Sequence, residues 1–202
     1  MTAGVLGMDR LGEAVSLLAQ GRVVGIPTDT VYGLAARLDL DAVAGLFEAK
    51  RRPATLPIAV LCATAESAAS VGASWPLAAQ RLASSYWPGA LTIVVPAPGP
   101  LAALVGATGS VGLRVPDDAT CRAVLAATGP LAVTSANLHG EPPATTAAAV
   151  AASFDAALVA AVLDGGTCDG AVSTVVDVTG EQVIVVRNGA VDADDVRSAS
   201  RG

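Results

Sequence analysis

The segment RVVGIPTDTVYG, residues 22–33, joins an apolar run to a polar loop. The run, residues 22–26, has the length and aliphatic composition of a buried strand, and Pro27 ends it. Two threonines, an aspartate and a tyrosine follow directly and could hold a small polar ligand, since active-site loops of α/β proteins often follow strands. The alternative is a turn in which Thr28 or Asp29 only caps the next element.

Segments typical of strands and helices alternate on both sides of this stretch. The other predicted strands are residues 57–62, 91–95, 112–115, 131–133, 174–178 and 182–187. Six helices are predicted. Two are given by their bounds, residues 40–50 and 76–87. The other four are given by their first residues: one is capped by Asp9 and ends at Gly21, one is capped by Asp117 or Asp118, one begins at Thr145 or Thr146, and a short one is capped by Asp192. This alternation predicts one α/β domain over residues 1–202, and the hairpin near its end favours a mixed sheet.

The charge of the chain argues against a general nucleic-acid binder. The 202 residues include 18 acidic and 12 basic side chains, for a formal charge of −6, whereas proteins that follow phosphate backbones cluster Lys and Arg. Residues 1–100 hold 7 side chains of each sign, so residues 101–202 carry the whole acidic excess. An anion site is therefore expected in the first half.

The sequence also bears on location. It contains neither an apolar run of about 18 uncharged residues nor a basic and then apolar leader, so no membrane association is expected. The three cysteines, Cys62, Cys121 and Cys168, form no CxxC pair. This usage indicates buried thiols in a reducing compartment, and the chain is predicted to be cytoplasmic, without disulfides or a zinc site.

The only cluster of three bases is Lys50-Arg51-Arg52, which Pro53 follows. Lys50 is also the single lysine in a chain that otherwise uses arginine, and a compact ammonium can act where a guanidinium cannot. Because Pro53 stops a helix, the cations are expected where the chain turns. The alternatives are chance and cations that only complement the helix dipole.

Two further loops carry polar residues that a core does not explain. Residues 134–143 follow a strand, and Ser135 and Asn137 would point the same way in an extended chain. Residues 173–177 begin a strand with two hydroxyls, and Arg187 ends the next. A polar turn and ordinary strand propensity are the alternatives. Neither GxGxxG nor GxxxxGK[ST] occurs, and no metal-ligand cluster is visible, so no Rossmann, P-loop or metal site is predicted.

Seven short motifs stand in a fixed order along the chain: PTDTVYGLAA, KRRP, WPGALTIVV, VGLRVPD, TSANLHGEPP, STVVD and VRNGAV. This order resembles that of YrdC-like proteins over about residues 21–191, including the KxR and SxN pairs, here Lys50/Arg52 and Ser135/Asn137. The resemblance is to the short form, without a second C-terminal domain. It implies a twisted mixed β-sheet flanked by helices, with a concave basic cavity.

The resemblance also implies an activity. Its expected substrates are L-threonine, bicarbonate or CO2, and ATP, and its expected products are threonylcarbamoyl-AMP and pyrophosphate. Mg²⁺ is expected to accompany the ATP phosphates. The product would pass to the tRNA threonylcarbamoyl transferase complex for modification of tRNA, and direct tRNA binding is not expected.

Site residues follow from the matching motifs. Lys50 and Arg52 are expected to be catalytic. The resemblance places ATP against Lys50, Arg52, Ser110, Asn137, Thr145 and Arg187. It places threonine against Thr28, Thr30, Tyr32, Arg114, Ser135 and Ser173. Some members carry polar residues after KxRP, where this chain has Leu56 and Leu61, so those contacts are expected to be absent or moved.

Two other functions remain open at this point. One is an RNA-binding or ribosome-associated YrdC-like module without synthase activity, which the acidic charge disfavours. The other is a carbamoyl-transfer domain of the hydrogenase-maturation type, whose acylphosphatase-like and zinc-finger parts the sequence does not contain.

Overall fold

Ten strands form one continuous sheet in the computed structural model, which describes residues 1–53, 55–71 and 73–200. They are β1 (Gly4–Leu6), β2 (Val24–Ile26), β3 (Gly33–Arg37), β4 (Ala59–Leu61), β5 (Leu91–Pro96), β6 (Ser110–Arg114), β7 (Leu131–Ser135), β8 (Ala161–Leu163), β9 (Thr174–Asp177) and β10 (Ile184–Arg187). Their order across the sheet is β1-β8-β2-β3-β7-β4-β6-β5-β9-β10. The sheet is mixed, as predicted: β8 pairs in parallel with β1 and β2, whereas β9 and β10 form an antiparallel hairpin.

Eight α-helices flank the sheet within the described residues. They are α1 (Leu11–Ala19), α2 (Leu40–Lys50), α3 (Ala65–Ala69), α4 (Leu77–Tyr86), α5 (Gly99–Leu104), α6 (Ala119–Thr128), α7 (Ala147–Ser153) and α8 (Ala193–Ala199). Asp118, Thr146 and Asp192 cap their helices through side-chain oxygens, as predicted. The prediction for Asp9 is wrong: it lies in a short 3-10 helix that runs into α1 without a side-chain cap. None of the described helices is long and apolar enough to span a membrane.

Small aliphatic side chains fill the core, as the scarcity of aromatic residues requires. On one face of the sheet, α4 and α8 cover the alternate residues Ile93, Val95 and Leu113. The three cysteines are buried and unpaired, which confirms their prediction as small apolar side chains. Within the part of the chain that the structure describes, the opposite face of β5 and β6 forms the floor of a cavity instead of packing against α4 and α8.

Candidate active site

A cavity of about 460 Å³ opens on the face of β5 and β6 opposite α4 and α8. Strands β4 and β7 border it on one side, and β9 and the end of β10 on the other. Alternate strand residues form its floor, because side chains on one face of a strand recur every second residue. Of the residues predicted for the site, those in its lining are Thr28, Thr30, Tyr32, Arg52, Ser110, Arg114, Ser135, Ser173 and Arg187. Segments far apart in sequence therefore meet in one cleft.

Lys50 lies directly behind this lining. Its ammonium Nζ donates to the carbonyl oxygen of Ser135, to Ser135 Oγ at 3.2 Å and to Asn137 Oδ1 at 3.1 Å. The KxR and SxN pairs are thus joined through one lysine. Asn137 is held in turn by donating from Nδ2 to the carbonyl oxygens of Leu138 and Glu141, at 2.8 and 2.7 Å.

The burial of Lys50 rules out a cation that only complements the helix dipole. It ends α2 but is 1% exposed. Burial, and then the charge of Arg52, lowers its pKa to about 8. The turn that follows puts Arg51 in the left-handed region at φ 51°, so that the next residue, Arg52, reaches the cavity wall.

Arginines dominate the charge of the cavity. Arg52 is anchored by donating from Nε and Nη2 to the carbonyl oxygens of Leu56 and Pro57, each at 3.1 Å. Burial, and then the charges of Arg114 and Arg52, lowers the pKa of Arg187. All three arginines line the cavity, and this concentration of positive charge favours anionic ligands.

Arg114 is the most tightly held of these cations. It donates to the Gly89 carbonyl oxygen at 3.0 Å, to Thr30 Oγ1 at 3.1 Å and to Asp29 Oδ1 at 2.6 Å. The side chains of Arg114 and Asp29 are 6% and 14% exposed. Asp29 therefore acts as the partner of Arg114 rather than as a cap, and the guanidinium is fixed before any ligand arrives.

Thr28 and Tyr32 line the cavity, but their hydroxyls form hydrogen bonds with the protein. Thr28 Oγ1 donates to the Val31 carbonyl oxygen at 2.6 Å and lies 2.9 Å from Thr30 Oγ1. Tyr32 donates to the Gly166 carbonyl oxygen at 2.8 Å, and burial raises its pKa to about 12. Thr30 Oγ1 accepts from Arg114 and, because Thr28 donates to Val31, donates to Thr28. Its hydroxyl is therefore fixed directly beside the Arg114 guanidinium.

Thr145 lies outside the cavity lining. Its carbonyl oxygen accepts from the Cys168 amide at 2.9 Å. Leu61, which departs from the family pattern, lines the cavity with an apolar side chain. Leu56, the other departure, accepts a hydrogen bond from Arg52 through its carbonyl oxygen. Polar contacts from position 61 are therefore replaced by an apolar surface.

The cavity also contains residues that the sequence analysis missed, notably Thr92, Val94 and Gly112. In β6, Ser110, Gly112 and Arg114 alternate with buried Val111 and Leu113. That alternation of small or polar with apolar residues was the available signal.

The carboxylates near the cavity are already engaged. Asp29 pairs with Arg114, and Asp177 Oδ1 accepts from the Thr179 amide and hydroxyl at 2.7 and 2.6 Å. No group of three or more potential metal ligands occurs in residues 1–53, 55–71 and 73–200. These residues thus offer no cage for a resident metal ion.

Fold and cavity together define an α/β protein with a cationic, hydroxyl-lined cleft, which suits a small anionic ligand. The family model described as telomere recombination, Sua5/YciO/YrdC, matches residues 16–189. The chain belongs to this Sua5/YciO/YrdC family.

Individual relatives support the same grouping. A threonylcarbamoyl-AMP synthase of Bacillus subtilis is 35% identical over 94% of this chain and 56% of its own length. A putative threonylcarbamoyl-AMP synthase of Mycobacterium tuberculosis is 38% identical over 91% of this chain and 86% of its own. The crystal structure of Pyrococcus abyssi Sua5 complexed with L-threonine superposes with a TM-score of 0.88 at 30% identity, covering 98% of this chain and 61% of that one. The chain thus spans little more than half the length of the B. subtilis relative.

Proposed function

We propose that the chain makes threonylcarbamoyl-AMP and pyrophosphate from L-threonine, bicarbonate or CO2, and ATP. The observation that carries this proposal is the convergence of Arg52, Arg114 and Arg187 on one hydroxyl-lined cleft, with Lys50 directly behind it. Relatives named threonylcarbamoyl-AMP synthases, and a related structure with L-threonine, support this choice of substrates.

The proposed chemistry needs positioned cations. A carbamate oxygen attacks the α-phosphorus of ATP, and the bond to the pyrophosphate oxygen breaks. Negative charge gathers on the transferred group, so electrostatic stabilisation carries most of the rate. Lys50 and Arg52 take this catalytic role. A cation about 4 Å from a phosphate oxygen contributes roughly 4 kcal/mol at an effective dielectric near 20.

The other predicted site residues are proposed to bind threonine or ATP. Threonine would lie against Arg114, Thr30, Ser135 and Ser173, with Thr28 and Tyr32 shaping the loop around it. ATP would lie against Ser110, Asn137 and Arg187. For Thr145, a contact with ATP stays a prediction of the resemblance.

Mg²⁺ is proposed to enter as part of the substrate, MgATP. Since the nearby carboxylates are engaged by Arg114 and Thr179, the ion would be held chiefly by phosphate oxygens and water, which Mg²⁺ accepts readily.

The biological setting is proposed on the same basis. The product would be handed to the tRNA threonylcarbamoyl transferase complex, and the protein would act in the cytoplasm. One sheet running from β1 to β10 supports a single domain. The expected bounds, 1–202, include Ala54, Gly72, Arg201 and Gly202, which lie outside the described residues.

The direct test is pyrophosphate release by the purified chain. We expect release from MgATP only when both threonine and bicarbonate are present, because the nucleophile is assembled from the two. Release without either one would contradict the proposal. RNA binding with a steep salt dependence, and no pyrophosphate release, would instead support the RNA-binding alternative.

The pKa of Lys50 leads to a pH prediction. Because burial lowers this pKa to about 8, the free enzyme loses the phosphate-binding ammonium as the pH rises through about 8. We expect kcat/KM for ATP to fall above that pH. The fall in kcat should occur at higher pH than the fall in kcat/KM, since bound phosphates stabilise the charged ammonium. Initial rates between about pH 6.5 and 9.5 test this. If kcat/KM for ATP fell at the same pH in Lys50→Arg, whose guanidinium stays charged, titration of Lys50 would be excluded as the cause.

A further inference from the structure

Two buried hydroxyls lie on the cavity wall close to Arg114. Thr92 Oγ1 and Ser173 Oγ are 3.0 Å apart, and both residues are 6% exposed. In the β5–β6 ladder Ile93 pairs with Leu113. Antiparallel register therefore puts Thr92 opposite Arg114 on the same face of the sheet, and both line the cavity.

Arg187 holds the other side of the hydroxyl pair. Its Nη2 donates to Ser173 Oγ at 2.8 Å, and its Nε and Nη2 donate to the Ser173 carbonyl oxygen at 3.1 and 2.8 Å. Within the described part of the chain, Nη1 makes no hydrogen bond and stays available to a ligand. The hydroxyl pair is thus flanked by two guanidiniums.

Among the residues that the structure describes, one hydrogen of the hydroxyl pair has no acceptor. A hydrogen bond between two hydroxyls uses one of their two hydrogens, whichever oxygen donates. Arg187 brings only further donors, and the described residues place no other acceptor at Thr92 Oγ1 or Ser173 Oγ. Because both residues line the cavity, this hydrogen is available to an acceptor oxygen on a ligand.

We propose that Thr92 and Ser173 form the subsite for the one-carbon oxyanion, which is bicarbonate before the reaction and the carbamate carboxylate after it. Ser173, placed against threonine above, thereby contacts the carboxylate formed on the threonine nitrogen rather than the amino acid's own carboxylate. This inference rests on the proposed function. In the product, the carbonyl carbon is bonded between the amino nitrogen of threonine and an oxygen of the α-phosphate. Arg114 serves the amino acid and Arg187 the nucleotide, so the subsite between them receives the group that links the two.

The chemistry at this subsite balances. The neutral amine of threonine attacks the carbon of bicarbonate, a C–N bond forms, and the C–OH bond breaks. The hydroxyl leaves as water with one proton from the amine. A carbamate oxygen then attacks the α-phosphorus and pyrophosphate departs. The free hydroxyl hydrogen and Arg187 Nη1 stabilise the oxyanion in both steps.

The test is Thr92→Val, which removes the hydroxyl and keeps the volume. In buffers freed of dissolved CO2, we expect the KM for bicarbonate to rise about 10- to 100-fold, the loss typical of a hydrogen bond to a charged group. The KM values for threonine and ATP should stay within about twofold, because Arg114 and the phosphate-binding cations are untouched.

Two further variants serve as controls. Thr92→Ser keeps the hydroxyl and should retain most of the wild-type affinity for bicarbonate. Thr128→Val makes the same change in α6, where the hydroxyl donates to the Val124 carbonyl oxygen at 3.0 Å, and should leave all three KM values unchanged. If Thr92→Val does not fold, Thr92→Ala together with Thr92→Ser makes the same comparison.

Different outcomes separate the possibilities. An unchanged KM for bicarbonate in a folded Thr92→Val variant would overturn the subsite. A rise confined to the KM for threonine would also overturn it, by assigning the hydroxyls to the amino-acid carboxylate, which has the same chemistry. A wild-type protein without bicarbonate-dependent pyrophosphate release would refute the proposed function itself.

Discussion

Lys50→Met is expected to lower threonine-dependent pyrophosphate release about a thousandfold. The reason is the loss of a cation beside the transferred phosphate, roughly 4 kcal/mol by the Coulomb estimate at an effective dielectric near 20. Arg51→Asn is the matched control. It removes the neighbouring positive charge, and Asn tolerates the left-handed backbone found there. Near-wild-type release by Lys50→Met would remove Lys50 from the catalytic role.

The same substitution should change thermal stability little, for a reason that the sequence could not supply. Keeping Lys50 charged while buried is unfavourable by about 3 kcal/mol, which follows from the lowering of its pKa to about 8. Methionine relieves that penalty but leaves acceptors on Ser135 and Asn137 without their donor, at about 1–3 kcal/mol. The two effects oppose each other. A melting temperature within a few degrees of wild type is expected, and calorimetry measures it.

Lys50→Arg asks whether shape matters beyond charge. Three acceptor oxygens converge on one ammonium nitrogen, and a planar guanidinium cannot meet them from the same buried volume. We expect ATP binding within several-fold of wild type and a large loss of turnover. Wild-type turnover would show that the lone lysine is an accident of composition.

Arg114→Lys is expected to raise the KM for threonine about 100-fold, with little change in the KM for ATP. A lysine cannot donate at once to Asp29, Thr30 and the Gly89 carbonyl oxygen and still receive a carboxylate on two parallel N–H groups. The loss corresponds to hydrogen bonds with a charged partner, about 3 kcal/mol.

Arg122→Lys is the control for this substitution. Arg122 pairs with Asp117 at 2.8 Å on a largely exposed surface, and exposed pairs contribute little, so both KM values should be unchanged. An Arg114→Lys protein that is folded and saturates with threonine as the wild type does would contradict the assignment of Arg114 to the amino acid.

Helix caps and the final hairpin could be predicted because their causes are local. A side-chain oxygen at Asp118, Thr146 or Asp192 meets amide groups two or three residues away, so short stretches of sequence suffice. The prediction that Asp9 caps α1 was wrong because aspartate also suits the first turn of a 3-10 helix, where Asp9 lies. Capping chemistry alone does not distinguish the two.

The short strands β1, β3 and β8 were missed because their stability comes from partners far along the chain. Ala161–Leu163 follows an alanine-rich stretch that favours helix, yet it is paired with both β1 and β2. Strand propensity is set by such packing more than by the residues themselves. Tertiary pairing therefore overrides the local preference here.

Most of the predicted site residues line one cavity, but the sequence could not predict how they are arranged there. Motifs placed Lys50, Ser135 and Asn137 in the site, but their hydrogen bonds arise only when the end of α2 meets the end of β7. Asp29 had no visible partner in the sequence, since Arg114 lies on a distant strand. Thr92 looked like an ordinary strand residue until the register of β5 and β6 set it beside Arg114.

Because β10 lies at the edge of the sheet, the part of the cleft around Arg187 is less rigid than the part around Arg114. Arg114 lies on an interior strand and donates to three protein groups, whereas Arg187 lies on β10, which is the last strand in the order of the described sheet and pairs with β9. Edge strands open locally at lower free energy than interior ones. In the proposed reaction, the amino acid would bind to the rigid part of the cleft, which can exclude side chains of the wrong shape. The larger nucleotide would bind beside the less rigid part, which can move as ATP enters and product leaves.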